Sequence, residues 1–91
     1  MADPIKFSSM PAADVTALRT KLGVLGMGTI TGDDGTDYSV FSDTKTDGTV
    51  FAFYSIQIDV SIVDTGGGTY VFRFGSAITS GDTALIFYER T

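Results

Sequence analysis

The sequence predicts a mainly β domain, an antiparallel β-sandwich or small barrel of six to seven strands with one short N-terminal helix. Three observations support this prediction. Apolar and polar residues alternate along several stretches after residue 27, which is the side-chain period of a strand. Gly and Asp, which favour turns, separate these stretches. Ten of the eleven acidic residues are Asp, and the single Glu, the helix-favouring acid, is Glu89.

A chain of 91 residues has room for one domain only. We divide it into an extended N-terminal arm, residues 1–10, and a single β-rich domain, residues 11–91. In the arm, Pro4 favours extended backbone before it, and Ile5 and Phe7 alternate with Lys6 as in a short edge strand. The alternative for this segment is a frayed terminus, which is common at chain ends.

Residues 11–22 are predicted to form the helix. Pro11 suits the first helical position, where its missing N–H costs nothing, and Gly23 suits the left-handed residue that ends a helix. One apolar stripe follows positions i, i+3 and i+7: Val15, Leu18 and Leu22. A helix this short is marginal alone, so we expect it to cover one face or end of a sheet; a helix reserved for a partner is the alternative.

The first strands are predicted to be short. Residues 29–31 form a strand between permissive glycines, and Asp34-Gly35 is a strong signal for a tight hairpin turn. Residues 37–41 resume a strand, and residues 42–48 form a polar loop. The sequence therefore places the first hairpin around residue 34.

Residues 49–63 carry the clearest alternation. Their even positions are almost all apolar, while the odd positions are polar only from Ser55 onward. The first half, with Phe51 and Phe53 at odd positions, is therefore apolar on both faces. Because fifteen residues are long for one strand, we expect a bend or bulge near Ser55.

The remaining chain alternates between turns and strands. Asp64 to Gly68 is a hairpin loop, residues 69–74 a strand, and residues 77–79 another short strand. Residues 80–82 turn the chain into the last strand, residues 84–90, which is again apolar on both faces. The predicted strands follow one another in meander order.

Composition excludes several classes of function. Without Cys there are no disulfides, thiolate ligands or cysteine nucleophiles, and without His the commonest general base is missing. No Ser or Lys lies in a recognisable catalytic motif. A glycosidase with two carboxylates would need a deep aromatic cleft, for which this chain has little room. The sequence therefore predicts no enzyme, no catalytic residue and no cofactor.

The net charge of −5 argues against two kinds of partner. The six basic residues are scattered, whereas nucleic acids and anionic membranes reward clustered Lys and Arg. No apolar run approaches the ~20 residues that span a bilayer. The first residues also lack the basic start and apolar stretch of a secretory signal, so we expect synthesis in a cytoplasm without export by that route.

One segment superficially matches the start of a calcium-binding loop. Asp43 to Gly48 superficially matches the pattern D-x-[DN]-x-[DN]-G, but Lys45 occupies the second ligand position and Tyr54 the closing one. The neighbouring acids Asp33, Asp34 and Asp37 have no ligand framework, and Asp commonly stabilises turns. No metal site is therefore predicted, and adventitious binding of a divalent ion stays open.

Apolar residues on the second faces of strands form the last candidate site: Phe51, Phe53, Val71 and Phe87. Two interpretations are open. In the first, both halves of a sandwich contribute these residues to one core; in the second, the residues form a buried interface in a homo-oligomer. A small domain without a catalytic set favours a role in binding or assembly.

The opening residues Met-Ala-Asp-Pro-Ile-Lys-Phe-Ser-Ser, a short helix and a Thr/Gly/Asp-rich β domain resemble small virion structural proteins of tailed bacteriophages. The resemblance covers about the first twenty residues and otherwise rests on composition. It implies a head decoration (cement) protein of the virion, often a trimer, that clamps neighbouring subunits of the capsid.

The resemblance also implies that the arm adds a strand to the major capsid protein or another virion protein, through Pro4, Ile5, Lys6 and Phe7. Alternatives are a tail, fibre or filament module, and a glycan-binding surface module. In the glycan alternative, tyrosines would provide stacking platforms for sugars: Tyr38, Tyr54, Tyr70 and Tyr88.

Overall fold

The computed structural model describes residues 25–91, which form seven strands in two antiparallel sheets. The predicted arm (1–10) and helix (11–22) lie outside the described residues. The strands are β1 (Leu25–Thr31), β2 (Asp37–Ser39), β3 (Val50–Tyr54), β4 (Ile56–Ile58), β5 (Val60–Gly66), β6 (Thr69–Phe74) and β7 (Thr83–Glu89). The mainly β fold predicted from the sequence is confirmed, as a sandwich; residues 25–91 contain no closed barrel.

The strand order differs from the predicted meander. One sheet has four strands in the order β1-β7-β3-β4, and the other has three in the order β2-β6-β5. Only β3–β4 and β5–β6 are hairpins of consecutive strands. The turn at Asp34 was predicted to close a hairpin, but β1 and β2 belong to different sheets, so this turn carries the chain from one sheet to the other.

The core lies between the sheets and is built from alternate residues of each strand. Ala52 and Ile86 face inward from the four-stranded sheet, and Phe72 and Phe74 from the three-stranded sheet. The remaining core residues are Ile30, Ile78, Ala84 and Tyr88. Because side chains alternate across a pleated strand, the odd-numbered residues of β3, β6 and β7 face outward.

Two glycines of β1 let aromatic rings pack directly on the backbone. The ring of Tyr88 lies against Gly26, and the ring of Phe41 lies against Gly28. A Cβ at either position would overlap the ring. The ring centroids of Phe41 and Tyr88 are 5.3 Å apart, so β1 carries an aromatic pair on its inner side.

The stretch predicted as one strand over residues 49–63 is divided into three. Ser55 has a positive φ of 69° and the chain reverses there, so that Tyr54 pairs with Ile56. After Ile58 the chain passes Asp59 and enters the other sheet as β5. The predicted irregularity at Ser55 is therefore confirmed in position, but it is a full reversal instead of a bend or bulge.

Residues 77–79 were predicted to be a strand, and this was wrong. Ile78 instead lies in a loop, and its side chain is fully buried in the core. Its N–H donates to the carbonyl of Gly35 at 3.1 Å, and its carbonyl accepts from the N–H of Asp34 at 2.9 Å. The apolar residue at this position is explained by its burial in the core. The loop that carries it hydrogen-bonds its backbone N–H and C=O to the turn between the two sheets.

Candidate functional site

The outward side of the four-stranded sheet is apolar. On this side, Phe51 and Phe53 of β3 lie opposite Phe87 and Leu85 of β7. On the other edge of β7, Met27 of β1 also lies opposite Phe87. We call these five residues the outer apolar face: Met27, Phe51, Phe53, Leu85 and Phe87. The face is separate from the core because its residues alternate with inward-facing Ala52 and Ile86.

Aromatic packing holds part of this face together. The rings of Phe53 and Phe87 lie edge to face, with centroids 6.2 Å apart and planes at 86°. This geometry aligns the positive edge of one ring with the negative face of the other, and such pairs contribute about 0.5–1.5 kcal/mol beyond burial. The two strands that carry the rings are neighbours in the sheet, so the pair also fixes their register.

Exposure changes across the outer apolar face. Met27, on the edge strand β1, is 63% exposed, whereas Leu85 and Phe87 on β7 are half-buried. Phe51 and Phe53 on β3 are only 5% and 3% exposed. The accessible part of the face is therefore the strip along β1 and β7.

The four predicted interface residues fall on two surfaces. Phe51, Phe53 and Phe87 lie together on the outer apolar face, while Val71 lies on the outward side of the three-stranded sheet, opposite Ser39 and Val63. Phe51 and Phe53 have little area left to bury against a second subunit, whereas Phe87 and Val71 are half-buried. Their role in a subunit interface stays a prediction.

The outward side of the three-stranded sheet is polar at its centre. Arg73 donates from Nε and one terminal nitrogen to the two carboxylate oxygens of Asp37, at 2.9 and 2.8 Å. The hydrogen bond from Arg73 lowers the pKa of Asp37, and the same bond raises the pKa of Arg73. Ser61 is the other cross-strand neighbour of Arg73 and is exposed. This surface is therefore hydrated.

The Asp residues in turns mostly hold the backbone. Asp33 accepts from the N–H of Gly35 at 2.9 Å, and Asp64 accepts from the N–H of Gly66 at 2.8 Å. Asp34 accepts from the N–H of Ser80 at 2.9 Å, which joins two loops that are distant in sequence. These contacts are the turn-stabilising role that the sequence predicted for Asp.

The segment resembling a calcium loop is tied to β7 by its own contacts. Asp43 accepts from the hydroxyl of Tyr88 at 2.6 Å and pairs with Arg90 at 3.5 Å. The Nζ atom of Lys45 lies 3.7 Å from a carboxylate oxygen of Glu89 and 3.9 Å from a carboxylate oxygen of Asp47. Within residues 25–91 no three acidic side chains are grouped closely enough to hold a metal ion.

The four tyrosines differ in how far they could stack on a ligand. Tyr88 is buried in the core, and burial raises the pKa of its hydroxyl. Tyr38 is half-buried and donates to the carbonyl of Gly35 at 2.8 Å. Tyr54 is half-buried, donates to Asp82, and lines a groove. Tyr70 is half-buried as well, so Tyr88 is the least accessible of the four candidates of the glycan alternative.

The groove beside Tyr54 was not predicted from the sequence. It has a volume of about 370 Å³ and is lined by Tyr54, Ile56, Gln57, Ile58, Asp59 and Ser76. Ile56, at its rim, is 66% exposed. The groove exists because the chain reverses at Ser55, and an alternating pattern without Gly or Pro gives no signal for such a reversal.

Comparison of the chain with protein-family models, with curated proteins and with solved structures found no match. Among the described residues, none belongs to a helix with the length and apolar character needed to cross a membrane.

Proposed function

We propose that the protein is a structural assembly protein of a tailed-phage virion, a capsid decoration (cement) protein that clamps neighbouring capsid subunits. The observation that carries the proposal is the accessible apolar strip of Met27 and Phe87 beside the point where the N-terminal segment enters the sheet at Leu25. The apolar strip and an N-terminal arm would give the domain two contacts with its surroundings.

The clamp would work through multivalency. A packaged genome pushes the shell outward, and a protein that contacts two capsid subunits at once opposes their separation. When one contact is made, the second becomes intramolecular and its effective concentration rises. The arm, with Pro4, Ile5, Lys6 and Phe7, would supply one contact by strand addition, since main-chain hydrogen bonds give affinity to such complexes.

Surface charge supports a position on the outside of the shell. Residues 25–91 contain nine acidic and three basic side chains. All three basic side chains, Lys45, Arg73 and Arg90, pair with carboxylates. This surface would repel the phosphate backbone of packaged DNA, because proteins bind that backbone through Lys and Arg side chains that neutralise its phosphates.

The first test is association with particles. We expect the chain to be recovered in stoichiometric amounts from purified phage heads, and the purified protein to cosediment with heads that lack it. Deletion of residues 1–9 should abolish cosedimentation while circular dichroism still reports a folded β domain. Retained binding by the truncated protein would refute the role of the arm.

A matched pair of variants separates the arm's side chains from its charge. Ile5→Asp/Phe7→Asp should lose cosedimentation, whereas Ser8→Asp/Ser9→Asp, with the same added charge, should keep it. Size-exclusion chromatography with light scattering should give a homo-oligomer, with a trimer favoured. A strict monomer that binds sugars would overturn the proposal.

Two alternatives predict other results from the same preparations. A tail, fibre or filament module would be found in tails or in assemblies without heads. A glycan-binding module is favoured by one observation, the groove of about 370 Å³ with Tyr54 at its wall. Sugar binding would then shift the nuclear magnetic resonance signals of Tyr54 and Ile56 and leave those of the outer apolar face unchanged.

A further inference from the structure

Strand β5 forms a long edge of the three-stranded sheet. Among residues 25–91 it pairs with β6 alone. The edge strands β2 and β4 have three residues each, whereas β5 has seven and contains no Lys or Pro, residues that block further pairing at natural edges. The other seven-residue edge strand, β1, contains two glycines, which add no side chain to a pairing. Of these edges, β5 is therefore best suited to accept a further strand.

The hydrogen bonds of β6 show which backbone groups of β5 face this edge. The N–H of Phe74 donates to the carbonyl of Thr36, next to β2, at 2.9 Å, whereas the N–H of Gly75 donates to the carbonyl of Asp59 at 2.8 Å. Because successive residues of a strand direct their N–H and C=O groups to opposite sides, the odd-numbered residues of β5 and β6 bond to each other. The backbone groups directed to the free edge are those of the even-numbered residues: Val60, Ile62 and Asp64.

These groups lie on a short regular stretch. Val60 and Asp64 are four residues apart, about 13 Å at 3.3 Å per residue, and a bulge after Asp64 ends the regular pairing. The side chains of Val60 and Ile62 pack against the core but stay half-buried, whereas Phe72, the cross-strand neighbour of Ile62, is 0% exposed. An added strand of about five residues would satisfy the outward N–H and C=O groups and bury more of these two side chains.

Carboxylates flank this stretch at both ends. Asp59 comes directly before it and Asp64 ends it, and both residues are exposed. The three basic side chains of residues 25–91 pair with other carboxylates: Lys45 with Asp47 and Glu89, Arg73 with Asp37, and Arg90 with Asp43. Asp59 and Asp64 therefore have no cationic partner in this part of the chain, and an incoming strand with cations at its ends would supply one to each.

A hollow beside the start of β5 has room for such a cation. It has a volume of about 280 Å³ and is lined by Asp59, Val60, Ser61, Arg73, Phe74 and Gly75. Gly75 adds no side chain to fill it, and the charge of Arg73 is compensated by its two hydrogen bonds to Asp37. A Lys or Arg side chain can lie in this hollow with its charged end at Asp59.

We propose that the edge of β5 binds an extended segment of a partner protein, in which alternating apolar residues are flanked by Lys or Arg. The segment pairs antiparallel to β5, since antiparallel pairing is the more stable per residue. Its apolar residues lie opposite Val60 and Ile62, and its cations lie opposite Asp59 and Asp64. This inference does not depend on the proposed phage function.

Charge argues against a second copy of β5 as the occupant. Two such strands, related by a two-fold axis at Ile62, place Asp64 of each copy opposite Val60 of the other and one position from its Asp59. Four carboxylates then gather where the copies meet, although residues 25–91 already carry nine acidic and three basic side chains. Like charges at such positions destabilise a strand pair. A cationic segment makes the same contacts attractive.

The test titrates the full ¹⁵N-labelled chain with the end-blocked peptide Lys-Thr-Val-Thr-Val-Lys. In the antiparallel register its valines lie opposite Ile62 and Val60, and its lysines opposite Asp64 and Asp59. We expect the amide signals of these edge residues to shift, while that of Met27, on the edge strand β1, stays unchanged. The control peptide Asp-Thr-Val-Thr-Val-Asp should bind at least about tenfold more weakly, because it places carboxylates opposite carboxylates.

Two N-methylated peptides test the backbone pairing. Methylation of the first Val removes the N–H that faces Ile62 and should abolish binding, whereas methylation of the second Thr, whose N–H points away from β5, should preserve it. Two charge variants test the flanking carboxylates. Asp59→Asn/Asp64→Asn should weaken binding about tenfold, and Asp33→Asn/Asp47→Asn, which removes the same charge away from this edge, should not.

Other occupants of the edge give different results. Shifts of the Val60 and Ile62 signals with protein concentration, in the absence of peptide, would show that a second copy holds the edge and would overturn the proposal. Peptide binding that appears only after deletion of residues 1–9 would assign the edge to the chain's own terminus, with the same consequence. Absence of binding at millimolar peptide, or equal binding of the aspartate peptide, would also overturn it. None of these outcomes depends on binding to phage heads, so the two proposals can fail separately.

Discussion

The outward sides of the two sheets differ in chemistry although both sheets are antiparallel and share one core. The four-stranded sheet presents Phe51, Phe53 and Phe87, whereas the three-stranded sheet presents Ser61 and the ion pair of Asp37 with Arg73. Antiparallel sheets commonly keep one face in water, as the three-stranded sheet does. The four-stranded sheet departs from this pattern, because the centre of its outward side is apolar.

The difference can also be followed in the sequence of single strands. In β6, inward Phe72 and Phe74 flank outward Arg73, which is the alternation of a half-buried strand. In β3, inward Ala52 lies between outward Phe51 and Phe53, so the strand is apolar throughout. Outward-facing residues therefore report the depth of a sheet better than inward-facing ones, which are apolar in both cases.

The largest expected effects compare a core residue of the three-stranded sheet, Phe72, with a residue of the outer apolar face, Phe53. Phe72→Ala should lower the free energy of unfolding by about 3–5 kcal/mol, because it leaves a cavity in the core. Phe53→Ala should cost a similar amount, since Phe53 is 3% exposed on the outer apolar face. Urea denaturation followed by circular dichroism measures both values.

The matched control for that comparison lies on the outward side of the other sheet. Val71→Ala removes two carbons from a half-buried side chain and should cost only about 1 kcal/mol. If Phe53→Ala cost as little as Val71→Ala, the outward side of β3 would contribute no more to stability than that of the three-stranded sheet. The contrast between the two sheets would then be one of composition and not of burial.

An intermediate effect concerns Tyr88, which projects inward from the four-stranded sheet and donates to Asp43. Tyr88→Phe should cost about 1.5 kcal/mol at pH 7, the lower end for a hydrogen bond to a charged group, because Asp43 is partly exposed. Thermal unfolding at pH 7 measures this loss. An unchanged midpoint would mean that the bond to Asp43 contributes nothing net.

The same tyrosine makes stability depend on alkaline pH. Burial raises the pKa of Tyr88 in the folded state, so between the unfolded and folded pKa values only the unfolded chain loses the proton. Stability should therefore fall as the pH rises above the ordinary value of 10.0. Tyr88→Phe should flatten this decline, and Tyr38→Phe, in the three-stranded sheet, should flatten it further because burial also raises the pKa of Tyr38.

The smallest expected effect lies on the hydrated side of the three-stranded sheet. The Arg73 hydrogen bond lowers the pKa of Asp37, so the ion pair contributes stability above the ordinary Asp pKa and loses it as the pH falls through the lowered value. Asp37→Asn should slightly lower the melting temperature at pH 7 and have no effect at the acid end of a pH series. Salt should reduce the difference, since exposed pairs are screened.

The turns and the element types could be predicted largely from local sequence. Asp and Gly around residues 34 and 64–68 marked turns, and the glycines at 66–68 adopt the positive φ values that such turns require. Alternation in β6, and an apolar run after a Gly-containing turn in β7, were enough to locate those strands to within a residue. An irregularity near Ser55 was predicted, but its being a full reversal was not, because the positions around it satisfy a strand pattern. The buried loop at Ile78 could not be predicted, because its backbone partners Asp34 and Gly35 are distant in sequence.

By itself the sequence determined the β class and the use of Asp in turns, since these depend on composition and local periodicity. It also identified Phe51, Phe53 and Phe87 as residues on second faces. Only the tertiary structure decided that these three share one face while Val71 lies on the other sheet. Strand order made that decision, and strand order depends on pairings between distant residues such as Phe51 and Phe87, which no local pattern encodes.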